Sequence, residues 1–487
     1  MKTPPNILWI CPDQQRFDTI GALGNSYVHT PNLDKLAETG VSFTNAFCQC
    51  PVCTPSRGSF LSGRYPSTIR LRQNGQQIPR ETLLVTRILA DCGYTCGLAG
   101  KLHLSPCEGR VENRIDDGYS AFHWSHGPFP KWKENEYIQW VASRGKPWEQ
   151  IYPVPPAIAN RLGPEGIGAD GQYAWAGMPA DLHQSYWCAE KAIEFIRSNR
   201  EKTWLFSVNF FDPHHPFDPP AEYLQKFRPE NMPLPDYKEG ELERKPRFQT
   251  VDHHGAYGGG GLSFADTTDL EHQRITAAYY AMIENIDANI GRILDYLDSS
   301  GLRDNTLVVF MSDHGEMLGD HGIYLKGPYL YDALTRVPLI MSWPEGFRQG
   351  VVSPALVELI DLAPTLLNAA GVEGHPGMQG RSLYDLCAGR RDADHHRENV
   401  YCEYHNALSE HRDPLPYLAS VRDAHYKIVV YAGLEEGELY DLENDPKEQD
   451  NLWDDPGCAE VRQIYLQKYL QRQMFTADPL PPRVARF

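Results

Sequence analysis

The run Cys53-Thr54-Pro55-Ser56-Arg57 is where residue types and spacing in this 487-residue chain most directly suggest chemistry. A cysteine by itself is usually a small buried hydrophobe. The setting of Cys53 is different. Pro55 suits the first turn of a helix, and Phe60 and Leu61 would hold that helix against a core. Residue 53 then stands at a helix N-terminus, where backbone N–H groups and the helix dipole favour an anion. A second reading takes Cys48, Cys50 and Cys53 as metal thiolates, although no partner pair of cysteines at ligand spacing accompanies them.

More chemistry gathers where apolar runs end. Asn6 to Ile10 leads into Asp13 and Gln14, and Tyr94 to Ala99 into Lys101 and His103. Trp204 to Asn209 leads into Asp212 and His214, and Thr306 to Met311 into Asp313 and His314. The runs are continuous rather than alternating, and helical patterns follow them, as for parallel strands buried on both faces. In open α/β sheets ligands bind beyond the carboxyl ends of the strands, so the four endings are expected to converge on one cleft. A single aspartate after a strand commonly caps a loop. Two carboxylates, an amide and an imidazole at two strand ends point instead to a metal site of Asp13, Gln14, Asp313 and His314, with residue 53 beside it. Oxygen donors suit Ca2+, and the amide and imidazole also admit Mn2+ or Mg2+.

These residues resemble the type I, formylglycine-dependent sulfatases of the alkaline phosphatase superfamily, whose signature is Cys-x-Pro-Ser-Arg. The resemblance implies that a separate formylglycine-generating enzyme oxidises Cys53 to formylglycine (3-oxoalanine), with Arg57 offsetting charge beside it. Gly100-Lys101-Leu102-His103 is similar to the family's Gly-Lys-x-His strand ending. It implies that Lys101 binds a sulfate oxygen and that His103 contacts the formylglycine hydrate. Asp212-Pro213-His214-His215-Pro216-Phe217 resembles the His-x-Pro-Phe element, which puts His214 rather than His215 next to the leaving group. Lys326, thirteen residues after Asp313, matches the lysine that grips sulfate from the other side, and Asn74 matches a smaller substrate contact. Glu438 to Pro446, with Asn451 and Leu452, is similar to the family's C-terminal strand and turn.

The implied activity is hydrolysis of a sulfate monoester, of a sugar or an aryl alcohol. Two departures bear on it. Many sulfatases carry aspartate where this chain has Gln14 and asparagine where it has His314. Phosphonate monoester hydrolases share the aspartate, glutamine, aspartate, histidine set but carry tyrosine and threonine in place of Lys101 and His103. Phosphonate monoester or phosphodiester hydrolysis with the same nucleophile is therefore the rival enzyme. A binding protein that kept the fold and lost catalysis is the rival of another class.

The elements that must position these groups alternate strand and helix. Helical periodicity covers Pro31 to Thr39, Ser185 to Arg197, Ile275 to Leu297, and Leu356 to Ala370 before Gly371. The expected fold is α/β and alkaline-phosphatase-like, a mixed, mostly parallel sheet flanked by helices over residues 1–385. Residues 386–487 form a smaller α+β unit, with antiparallel strands at Glu398 to Tyr404, Leu418 to Arg422 and Tyr426 to Tyr431, then a helix from Ala459 to Met474. Asp252 to Gly261, with four consecutive glycines, reads as a mobile surface loop. Six of the ten tryptophans fall between Trp124 and Trp187, so the aromatic-rich segment 119–187 would stack on a sugar or aryl ring, or else form core or subunit interface.

Acidic residues outnumber basic ones by 64 to 46, a formal charge of -18 that argues against nucleic acid and anionic membrane as partners. An anionic substrate then needs a locally positive pocket. The opening apolar run is too short for a signal peptide or membrane span. Eleven scattered cysteines do not make a disulfide framework, which suits a reducing cytoplasm. A homo-oligomer is left open.

Overall fold

The computed structural model describes residues 4–129, 131–145, 178–481 and 485. Eight strands form the larger sheet: β1 (Asn6–Ile10), β2 (Val41–Phe47), β3 (Thr95–Gly100), β4 (Tyr119–Trp124), β5 (Trp204–Asn209), β6 (Thr306–Met311), β7 (Arg336–Ser342) and β8 (Val351–Glu358). Their order is β4-β3-β5-β1-β6-β7-β2-β8, and only β7 runs against its neighbours. The sheet is mixed and mostly parallel, as expected.

Burial on both faces explains the continuous apolar strands. Ile7 and Trp9 of β1, with Leu307, Val309 and Met311 of β6, face one core. Leu8 and Ile10, with Val308 and Phe310, face the other. The second core is closed by α1 (Pro31–Glu38), by Trp187, Ala192 and Ile196 of α3 (Gln184–Ser198), and by Ile286, Ile290 and Ile293 of α4 (Asp269–Ser299). The first is closed by α2 (Cys53–Ser62) and α5 (Leu362–Ala369).

One expected helix is corrected. Leu356 to Glu358 belongs to β8, which pairs in parallel with β2, and the helix starts only at Leu362. An apolar run of this length does not distinguish strand from helix, and the open edge of β2 decides in favour of pairing. Asp252 to Gly261 is also corrected. Gly258 to Gly260 are exposed, but Asp252 is buried and accepts hydrogen bonds from Gly258 N (2.8 Å), His411 Nε2 (3.1 Å) and Tyr329 Oη (3.2 Å). Much of the aromatic-rich segment, residues 146–177 with Trp148 and Trp175, lies outside the described residues. Of the rest, Trp124 and Trp187 are core.

The smaller sheet, β9 (Val400–His405), β10 (Tyr417–Arg422), β11 (Tyr426–Tyr431) and β12 (Gly437–Asp441), is antiparallel in the order β12-β11-β10-β9. Helix α6 (Ala459–Met474) docks on it through Tyr465. The opposite face of this sheet packs Cys402, Tyr404, Leu418 and Val429 against Cys50 and Val52, so it backs the chain that enters α2 at Cys53.

Candidate active site

The carboxyl ends of β1, β3, β5 and β6 lie side by side, and β2 delivers residues 48 to 53 to the same edge. Cys53 is the first residue of α2, after extended Val52. The helix end is capped from outside, because Asn74 Oδ1 accepts from Thr54 N at 3.0 Å. That spends the Asn74 carbonyl on the helix that Cys53 begins. Cys48 and Cys50 turn away from Cys53, Cys48 towards the Leu334 carbonyl (3.8 Å) and Cys50 into the apolar layer. They offer no thiolate cluster with it.

Arg57, one helical turn after Cys53, is 1% exposed and fills the floor of the site. Its Nε donates to Asp313 Oδ2 (2.9 Å), Nη2 to Asp13 Oδ2 (3.2 Å) and Nη1 to the Lys101 carbonyl (2.9 Å). Its charge therefore acts through the two carboxylates and the backbone below Lys101. Asp313 Oδ1 also accepts from Gln14 N and His314 N, both at 3.0 Å. Burial raises the pKa of Asp13, but Lys101, His214, Arg57 and Lys326 outweigh it and hold the carboxyl well below its usual range. Burial and Asp13 oppose a charge on Cys53, while Lys101, Lys326 and His314 overcome them and hold its thiol well below an ordinary thiol.

The donor set fits a divalent cation. Ligand atoms of Asp13, Cys53, Asp313 and His314 all lie within 4.8 Å of one another. His314 donates from Nδ1 to the Gly315 carbonyl (2.9 Å), which turns Nε2 towards Cys53 Sγ at 3.2 Å. Gln14 gives its amide nitrogen to Glu316, so its oxygen points into the site. The Lys326 ammonium stands among these donors, 2.7 Å from Gln14 Oε1, 3.3 Å from Cys53 Sγ and 3.4 Å from His314 Nε2. A positive charge already sits where the oxygens and nitrogens converge.

Lys101 reaches in from β3, with Nζ 2.5 Å from Asp13 Oδ2. Gly100 makes this possible: φ is +107°, and a Cβ there would stand 1.8 Å from the Asn209 carbonyl oxygen. His103 follows in the left-handed region at φ 58°, pinned by Glu112, which accepts from His103 N (2.8 Å) and Leu104 N (2.7 Å). Burial, then Lys101, keeps the His103 imidazole well below its ordinary pKa. His214 lies 3.1 Å through Nε2 from Lys326 Nζ, with its Nδ1 donating to the His215 carbonyl at 2.6 Å. Burial and Lys326 hold His214 neutral well below the usual histidine range.

All eleven sequence-derived positions, Asp13, Gln14, Cys53, Arg57, Asn74, Lys101, His103, His214, Asp313, His314 and Lys326, thus surround one site or its immediate support. Glu112, Cys107, His126 and Tyr257 also stand at the site, and for the first three no motif in the sequence points to it. Tyr257 stands with its ring 5.7 Å from His215, brought there by the glycine-rich turn. None of the four lies in a spacing that marks chemistry.

The Sulfatase family model matches residues 5–372, and the model described as N-sulphoglucosamine sulphohydrolase, C-terminal, matches residues 319–475. A multifunctional alkaline phosphatase superfamily protein, PehA, of Trinickia caryophylli is 30% identical over 98% of this chain and 96% of its own. An arylsulfatase of Clostridium perfringens is 30% identical over 96% of this chain and 94% of that protein. A phosphonate monoester hydrolase of Agrobacterium radiobacter, known as a crystal structure, superposes with a TM-score of 0.83 at 26% identity, covering 99% of this chain and 98% of that one.

Proposed function

Since the chain belongs to the sulfatase family of the alkaline phosphatase superfamily, we propose that it hydrolyses a sulfate monoester of a sugar or aryl alcohol, with residue 53 as the nucleophile. The observation that carries this reading is the placement of Cys53 at the head of a buried helix, 3.3 Å from Lys326 and beside the Asp13, Asp313 and His314 donors. Its Sγ marks the position of the attacking oxygen. In the formylglycine form, made by a formylglycine-generating enzyme, residue 53 supplies a hydrated aldehyde whose hydroxyls serve attack and release. A divalent cation held by Asp13, Gln14, Asp313, His314 and residue 53, with Ca2+ foremost and Mn2+ or Mg2+ as alternatives, supplies Lewis-acid polarisation.

The side chains around that pair do the rest. Lys101 and Lys326 grip the sulfuryl oxygens from two sides, and this fixed positive field is the main source of rate. The α2 N-terminus adds its dipole. Arg57 holds Asp13 and Asp313 in place and opposes the rise that burial imposes on the Asp313 carboxyl, and Asn74 keeps the helix end in place. His103 accepts a proton at residue 53 when sulfate is released. His214, whose Nε2 faces the Lys326 ammonium, takes a proton from solvent when the anionic ester offsets that charge, and delivers it to the leaving oxygen through Nε2. Intact-mass analysis and turnover of an aryl sulfate test the reading together. Active protein should carry the aldehyde at position 53, Cys53→Ala should be inactive, and exhaustive chelation should abolish turnover. Full activity with an unmodified thiol refutes the nucleophile.

A second reading, phosphonate monoester or phosphodiester hydrolysis, draws on the Gln14 and His314 ligands and on the likeness to the Agrobacterium enzyme. Lys101 and His103 weigh against it, because two basic groups suit an ester gripped by all its oxygens. Replacing them together, Lys101→Tyr with His103→Thr, should lower sulfate ester kcat/KM more than phosphonate kcat/KM. Equal loss of both removes the preference for sulfate.

A further inference from the structure

Beside the nucleophile, three groups that bind soft metals come together at the ends of β3 and β4. Ligand atoms of His103, Cys107 and His126 lie within 4.8 Å of one another, a cluster separate from the Asp13 donor set. Cys107 Sγ is 3.2 Å from His126 Nδ1, and the His103 and His126 rings meet edge to face with centroids 4.5 Å apart. The three are held from behind. Glu112 fixes the backbone of His103 and Leu104 and takes the Trp124 indole N–H at 3.2 Å. Phe129 and Trp132 pack on the His126 ring, with centroids 5.7 and 5.6 Å away. The buried Nδ1 of His103 has no hydrogen-bond partner.

A tetrahedral Zn2+ with Zn–S of about 2.3 Å and Zn–N of about 2.0 Å separates its ligand atoms by roughly 3.5 Å, which small side-chain rotations would reach here. Two imidazoles and one thiolate in an apolar shell select a thiophilic ion rather than Ca2+ or Mg2+. We propose that His103, Cys107 and His126 form a second metal site, for Zn2+ or a similar thiophilic divalent ion, whose occupation stops hydrolysis by holding the imidazole of His103. Binding releases the Cys107 thiol proton to solvent and leaves a fourth position for water. The shut-off rests on the role given to His103 above, whereas the binding does not.

Co2+ absorption separates the two parts. In a Cys53→Ala background, where no thiol remains at the first site, Co2+ should give a thiolate-to-metal charge-transfer band that disappears when Cys107→Ser is added. No band, or a band that survives Cys107→Ser, overturns the site and leaves Cys107 as a donor to His126 only. In active enzyme, Zn2+ should inhibit, and Cys107→Ser should keep the uninhibited rate while raising the inhibitory Zn2+ concentration at least tenfold. Equal Zn2+ sensitivity in the two proteins overturns the shut-off. Absence of any sulfatase activity would defeat the proposed function, yet the Co2+ band would still decide the site.

Discussion

At the scale of single residues, His214 is fixed in both its orientation and its charge. Its Nδ1–H is committed to the His215 carbonyl, and burial with Lys326 keeps the ring neutral. Nothing in Pro213-His214-His215-Pro216 announces that burial. In the proposed reaction, an anionic ester bound between Lys326 and His214 would offset that positive charge and let Nε2 carry the proton. Sugar and alkyl leaving groups need it, whereas a nitrophenolate leaves nearly unaided. His214→Ala should therefore slow an alkyl or sugar sulfate by ~100-fold or more and an activated aryl sulfate far less. His215→Ala should show no such contrast. If His214→Ala slows both leaving groups equally while chemistry is rate-limiting, Lys326 becomes the proton donor.

At the scale of elements, the strand endings carry the site, and β3 does so through one glycine. Gly100→Ala brings a Cβ against the Asn209 carbonyl in a left-handed backbone, so β3 and β5 must part where Lys101 leaves the sheet. Gly93 is also left-handed, at φ +95°, but nothing lies within 4 Å of a Cβ there. Gly93→Ala should cost about 1 kcal/mol of backbone strain alone. Gly100→Ala should cost clearly more and reduce turnover; similar melting temperatures in the two variants would refute the clash. The strands that end in chemistry were legible because β1, β3, β5 and β6 are buried on both faces and their apolar runs stop at charged residues. β7 and β8 were not, since Arg336-Val337-Pro338 and the alternating start of β8 acquire their meaning only from pairing with β2. Glu112, Cys107 and His126 were illegible for a related reason: their contacts arise from two loops folding together, and no local period records that.

At the scale of the whole molecule, the smaller sheet is fastened to the larger by buried ion pairs as well as by the layer behind Cys53. Arg397, just before β9, forks to Glu358 at the end of β8 and to Asp361 in the turn after it. Arg472 of α6 joins Glu358 at 2.5 Å, and Tyr65 donates to it at 2.8 Å. Burial pushes the Asp361 carboxyl up, but Arg397, together with His396 and the Arg381 backbone N–H, outweighs it and leaves the pKa below the usual aspartate value. A carboxyl depressed in the folded state stabilises fully above its unfolded pKa of about 3.9 and loses that contribution as pH falls through the folded value. Arg397→Met keeps much of the volume and removes the cation, leaving two buried carboxylates with fewer partners. Such a loss costs about 3–5 kcal/mol. With Arg397 gone, burial is the larger influence on Asp361, so its pKa rises and protonation relieves part of the damage. The deficit of Arg397→Met in urea denaturation should accordingly be largest near neutrality and shrink towards pH 4, and a deficit constant from pH 7 to 4 would show that these carboxylates do not need Arg397's charge.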